Sequence, residues 1–99
     1  MIHKIFTVYD SKAELFMQPF FMPTTGQALR SFEDTCNDTS TVFAKHPADF
    51  TLFEIGSYDD LNCEIYMHDA KINLGTALEY VQKQIDLLPK KELRSAKNA

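Results

Sequence analysis

The stretch IHKIFTVYDS, residues 2–11, predicts the strand around which the rest of the chain is organised. It is rich in β-branched and aromatic residues, as strands are, and Asp10-Ser11 ends it. Phe6 and Val8 point to one face of such a strand and Tyr9 to the other, so both faces need at least partial cover. We therefore predict that this strand lies in the centre of a sheet.

A Met- and Phe-rich segment, AELFMQPFFMP at residues 13–23, follows the strand. Its prolines prevent a long helix and interrupt strand pairing, so an extended conformation is expected. So many large apolar side chains must be covered, either by the core or by another molecule. We predict an interface here, and its candidate residues are Phe16, Met17, Phe20, Phe21 and Met22.

A helix and a hairpin are predicted next. Thr24 or Thr25 can cap a helix over residues 27–36, whose apolar positions fall on one face. Two β-rich runs at residues 50–56 and 63–68 flank a polar turn, which predicts an antiparallel hairpin.

A second helix is predicted after a connector at residues 69–73. Its apolar residues recur at helical spacing, and Pro89 ends it. The predicted buried stripe consists of Leu74, Ala77, Leu78, Val81, Ile85 and Leu88.

This order predicts an α+β fold, a small three-stranded sheet built as strand, helix, β-hairpin and helix, with the two helices packed on it. The first helix has room to cross the sheet, so the first strand and the strand at 50–56 can lie parallel. One domain is expected over residues 1–88, followed by a basic, flexible C-terminal tail at residues 89–99. The open edges of so small a sheet predict a homo-oligomer, most simply a dimer.

The net charge of −4 is unevenly distributed. Residues 89–99 carry four cations against Glu92, a charge of +3, whereas residues 1–88 hold six Lys and Arg against thirteen Asp and Glu, a charge of −7. An acidic body repels a polyanion, so phosphate contacts would come mainly from the tail, although such a terminus is often only a solvated end. The candidate nucleic-acid-binding residues are Lys90, Lys91, Arg94 and Lys97 in the tail and Lys4, Lys12, Arg30 and Lys45 in the body.

Aromatic residues are the other candidates for contact with nucleic acid. Unpaired bases stack on exposed aromatic rings, but most aromatic residues at such positions belong to a core. Exposure in the structure separates the two interpretations. The candidates are Tyr9, Phe16, Phe20, Phe21, Tyr58 and Tyr66.

The sequence holds no catalytic motif. It has no Gly-rich phosphate loop and no nucleophile or zinc-protease pattern, and its three His and two Cys are not spaced as metal ligands. No apolar run approaches the length of a membrane span, and the first residues do not resemble a signal peptide. We expect a protein made in the cytosol that is not an enzyme and uses no cofactor, metal or membrane.

Several longer stretches carry a resemblance to a known family. They are FTVYDSKAE at 6–14, GQALRSF at 26–32, FAKHPADFTLFEIGSYDD at 43–60 and INLGTALE at 72–79. With them the chain resembles the small nonstructural protein of gokushovirus-type microviruses, bacteriophages with circular single-stranded DNA. The resemblance implies a phage protein in the host bacterial cytoplasm that binds single-stranded DNA or assists genome replication. It supplies no catalytic or binding residues.

Two functions therefore stay open. The first is a single-stranded-DNA-binding or replication accessory protein, which the resemblance favours. The second is an adaptor that engages a phage or host replication protein, or a second copy, through its acidic surface and the Met- and Phe-rich segment. The acidic body favours this second function.

Overall fold

A computed structural model describes residues 1–86 of the chain. The predicted α+β class is confirmed, whereas the predicted tail at residues 89–99 lies outside the described residues. The elements in chain order are β1 (Ile2–Asp10), β2 (Leu15–Phe16), β3 (Phe20–Met22), α1 (Thr25–Cys36), α2 (Val42–Lys45), a 3-10 turn (Pro47–Asp49), β4 (Phe50–Asp59), β5 (Glu64–Thr76) and α3 (Ala77–Asp86).

All five strands belong to one antiparallel sheet with the order β2-β1-β4-β5, and β3 pairs with β1 beside β2. The central position predicted for β1 is confirmed. The prediction of three strands is wrong, because the segment after β1 folds back and adds two short strands to it. Pro19 lies between these two strands, where its missing N–H ends the pairing.

The parallel arrangement of β1 and β4 is also wrong. β3 brings the chain back beside the start of β1, where Met22 lies opposite Lys4. α1 then carries the chain to the far end of the sheet, so β4 begins with Phe50 opposite Asp10 and ends with Asp59 opposite Ile2. The additional pass through β3 reverses the direction in which β4 enters the sheet.

β5 is longer than predicted and includes the predicted connector at residues 69–73 as well as Leu74. Gly75 has a φ of +112°, which is not helical, so the helix starts after it.

In α3, Ala77 and Tyr80 are buried, but Leu78 is 39% exposed. The predicted stripe is therefore wrong at Leu78, and it missed Tyr80, whereas Leu74 packs against the core as predicted but from β5 instead of the helix. Its last two members, Ile85 and Leu88, are not among the side chains that the structure describes.

The core lies between one face of the sheet and the helices. Thr24 caps α1 as predicted, because its hydroxyl accepts a hydrogen bond from the Gln27 N–H at 3.1 Å. The Phe32 and Tyr80 rings meet edge to face at 5.4 Å and join α1 to α3. The buried core residues are Phe6, Val8, Ala28, Phe32, Cys36, Phe50, Leu52, Ala77 and Tyr80. No helix in the described part of the chain is long and apolar enough to cross a membrane.

Candidate functional site

The sheet face opposite the helices carries a row of aromatic side chains. Ile5, Thr7 and Tyr9 of β1 point to this face, because they alternate with Phe6 and Val8 in the core. Each of the three lies opposite an aromatic residue of a neighbouring strand. The pairs are Ile5 with Phe21, Thr7 with Phe53 and Tyr9 with Phe16.

The rings on this face contact one another. The Tyr9 and Phe16 centroids lie 4.7 Å apart, and Phe53 meets Phe16 edge to face at 6.1 Å. A third contact, separate from these two, joins Phe21 to Tyr58 at 5.8 Å. We call these five rings the aromatic face. Such edge-to-face and tilted contacts hold each ring in a fixed orientation.

Two rings of the aromatic face are half exposed. Phe16 is 49% exposed and Phe21 is 50% exposed, whereas Ile5 and Thr7 are buried between them. The Thr7 hydroxyl donates a hydrogen bond to the Met17 carbonyl at 2.8 Å, which satisfies this buried group and ties the segment between β2 and β3 to β1. Phe16 and Phe21 are therefore presented to solvent by a fixed backbone.

A cation lies directly on the aromatic face. The Nζ of Lys71 in β5 is 5.6 Å from the centroid of the Phe16 ring, within the range of a cation–π contact. Lys71 is not among the residues predicted from the sequence, because residues 69–73 are predicted to form a connector and not a strand.

The four cations predicted in the body lie away from the aromatic face. Lys4 points to the helix side, where its Nζ donates to the Thr25 hydroxyl at 2.9 Å. Lys12 lies in the turn after β1, Arg30 on α1 and Lys45 at the end of α2. The structure does not gather these four residues into one patch. The four tail cations lie outside the described residues.

The residues of the predicted interface segment lie on both faces of the sheet, because side chains alternate along a strand. Phe20 and Met22 point to the helix side and pack against the core, with Phe20 stacked on Phe6 at 5.6 Å. They also line an apolar cavity of about 340 Å³ beside α1. Phe16, Met17 and Phe21 are exposed, and the two Phe belong to the aromatic face.

The two candidate tyrosines of the hairpin point to opposite faces. Tyr58 belongs to the aromatic face. Tyr66 lies opposite Ser57, which itself lies opposite Lys4 of the helix side. Tyr66 is 48% exposed, so it resembles Phe16 and Phe21 in exposure but not in position.

A buried carboxylate lies on the helix side of the sheet. Glu54 accepts hydrogen bonds from the Thr25 hydroxyl at 2.8 Å and from His68 Nε2 at 2.9 Å, and Lys4 Nζ lies 3.8 Å away. Burial opposes its charge, but these hydrogen bonds and the Lys4 charge outweigh burial and hold the pKa of Glu54 below its ordinary value. Both oxygens are engaged, so the group links β1, β4, β5 and α1.

These observations define a small α+β protein with helices on one face of an antiparallel sheet and a partly exposed row of aromatic rings on the other. Residues 3–80 match the model of the family described as Phage ORF5 protein, and the chain therefore belongs to this bacteriophage protein family. The matched region contains the whole aromatic face, the buried Glu54 and Lys71. No curated protein and no solved structure matches the chain.

Proposed function

We propose that the protein binds single-stranded DNA through the aromatic face and is not an enzyme. The observation that carries the proposal is the pair of half-exposed rings, Phe16 and Phe21, with Lys71 lying over the first of them. The family is that of a bacteriophage protein, and the resemblance to gokushovirus-type microviruses implies a role in phage genome replication in the host bacterial cytoplasm.

The chemistry of the aromatic face suits unpaired bases. A base stacks on an exposed ring whatever its identity, and each such contact contributes roughly 1–3 kcal/mol. In a duplex the base faces are already stacked on one another, so rings on an open sheet face favour a single strand. Lys71 supplies a positive charge beside the stacking surface, and residues 89–99 supply a further +3.

Phe16→Ala and Phe21→Ala are each expected to weaken the binding of an oligothymidine by roughly 5- to 150-fold, since each loses one stacking contact. Fluorescence anisotropy with a labelled oligonucleotide measures the effect. Tyr66→Ala is the matched control, because this ring is 48% exposed but lies on the other face. Equal losses in all three variants would contradict binding at the aromatic face.

The salt dependence of DNA binding distinguishes the contribution of the tail cations from that of the aromatic rings. If the four tail cations and Lys71 each neutralise one phosphate, the log–log slope of affinity against salt is about −3.5, and truncation after residue 88 brings it to about −0.7. The ring variants should lower affinity and leave the slope unchanged. If the intact protein does not bind at low salt, direct DNA binding is rejected.

Self-association is the second candidate function, and the free edge of β5 favours it. Within the described residues β5 pairs only with β4, and its apolar side chains Ile65, Met67 and Ile72 are exposed. A long edge strand with exposed apolar residues is a template for pairing with another chain. A second copy is the simplest partner, and a phage or host replication protein is the alternative.

Light scattering at micromolar concentration is expected to give a mass near twice 11.4 kDa, and Met67→Lys to return it to the mass of one chain. Leu61→Lys is the control, since Leu61 lies in the turn between β4 and β5 and is exposed without belonging to the edge strand. A single-chain mass for the unchanged protein at every concentration would exclude self-association.

A further inference from the structure

β5 leaves the register of β4 in the middle of the hairpin. Met67 lies opposite Gly56 and Ile72 lies opposite Glu54, so residues 68–71 of β5 face the single residue Ile55. We call residues 68–71 the β5 bulge. Bulges re-aim side chains while the paired residues on either side stay in place.

The β5 bulge has a different contact on each face of the sheet. On the helix side, His68 Nε2 lies 2.9 Å from a Glu54 oxygen. On the opposite side, Lys71 Nζ lies over the Phe16 ring. His68, the first residue of the bulge, therefore contacts the buried carboxylate, and Lys71, the last, places its ammonium group on the aromatic face.

Glu54 is a rigid point of attachment. Its side chain is buried, and its other oxygen is fixed by the Thr25 hydroxyl at the start of α1. Lys71, by contrast, is a long side chain with many rotamers, and its backbone position decides which surface its ammonium group can reach. Only three peptide bonds separate His68 from Lys71.

We propose that His68 is a positioning residue: its contact with Glu54 fixes the β5 bulge so that Lys71 lies over Phe16. The consequence for DNA binding rests on the proposed function, whereas the positioning itself is a property of the free protein. Two separate measurements therefore test the two statements.

The first measurement is NMR of the free protein. The Phe16 ring current shifts the Lys71 ε-methylene protons, and Phe16→Leu gives their position without the ring. His68→Ala is expected to move these protons to the position seen in Phe16→Leu. His68→Gln, whose amide can still donate to Glu54, is expected to keep the shift. His46→Ala is the control, because His46 lies outside the hairpin.

His68 is half-buried, so water can reach Glu54 when the ring is removed, and the fold is expected to survive. If His68→Ala does not fold, His68→Ser, which is too short to reach Glu54, takes its place. An unchanged Lys71 shift in either folded variant overturns the positioning role.

The second measurement is a double-mutant cycle in DNA binding. Lys71→Ala is expected to reduce the magnitude of the log–log salt slope by about 0.7, the value for one phosphate on a single strand. His68→Ala alone should reduce the slope by the same amount. In a protein that already carries Lys71→Ala, His68→Ala should cause no further reduction of the slope. Additive losses would show that His68 does not act through Lys71. If the intact protein does not bind DNA, the proposed function fails, and the NMR result alone decides the positioning role.

Discussion

Phe6→Ala is expected to lower the free energy of unfolding by about 3–5 kcal/mol, as the truncation of buried Phe residues does. Phe6 is fully buried and its ring stacks on Phe20, so its removal leaves a cavity between the sheet and the helices. Urea denaturation followed by circular dichroism measures the change. Leu61→Ala is the control, because Leu61 is 87% exposed and should cost less than about 0.5 kcal/mol.

The same denaturation experiment tests which face of α3 is buried. Leu78 is 39% exposed, whereas Leu52 on β4 is fully buried. Leu78→Ala should therefore cost much less than Leu52→Ala, for which we expect roughly 2–5 kcal/mol. Equal costs for the two substitutions would restore the stripe that the sequence predicts and would contradict the observed helix orientation.

Gly56→Ala is expected to destabilise the protein by about 3 kcal/mol, the upper end of the usual cost of overpacking. An added Cβ would overlap the Tyr66 carbonyl oxygen and lie 3.2 Å from the Met67 Cα. Both are backbone atoms of β5 and cannot rotate away, so β4 and β5 would have to separate beside the β5 bulge. Urea denaturation gives the cost.

Gly26→Ala is the matched control for Gly56→Ala. A Cβ at Gly26 would meet only the Thr24 hydroxyl oxygen, at 3.9 Å, and the residue lies in α1, where alanine is preferred to glycine. We expect a gain of roughly 0.5–1 kcal/mol from this control. A neutral Gly56→Ala would show that β4 and β5 do not approach each other so closely.

The sequence predicts β1 and the start of the hairpin because β-branched and aromatic residues are dense in both. It fails in the second half of β5, where Leu74 continues the helical spacing of Ala77 and Val81. Apolar spacing does not reveal the positive φ of Gly75, which separates Leu74 from α3. The conformation of Gly75 therefore divides the apparent helical pattern between two elements. Leu74 lies in β5, whereas Ala77 and Val81 lie in α3.

The direction of β4 was not predictable from spacing either. It depends on how many times the chain passes along the sheet before β4, and β2 and β3 have only two and three residues. Strands so short have no periodicity of their own, and the prolines beside them argue against pairing. Only the tertiary structure shows that the Met- and Phe-rich segment runs back along β1 as two short strands.

The candidate site was predicted in part. Four of the six aromatic candidates lie on the aromatic face, whereas Phe20 and Tyr66 point to the helix side. Alternation along a strand shows which face a side chain lies on only when the pairing register is known, because a register shift of one residue moves every side chain to the opposite face. Lys71 was missed for a different reason, since its contact with Phe16 joins residues far apart in the sequence.

The alternation along β1 has a consequence for how this protein can evolve. Phe6 and Val8 serve the stability of the fold, while Tyr9, one position further on, belongs to the surface proposed to recognise a ligand. Selection on stability and selection on recognition therefore act on interleaved positions of one strand. Of the three residues that β1 contributes to this face, Ile5 and Thr7 are buried, so Tyr9 is the position where the recognition surface can change with the smallest cost in stability.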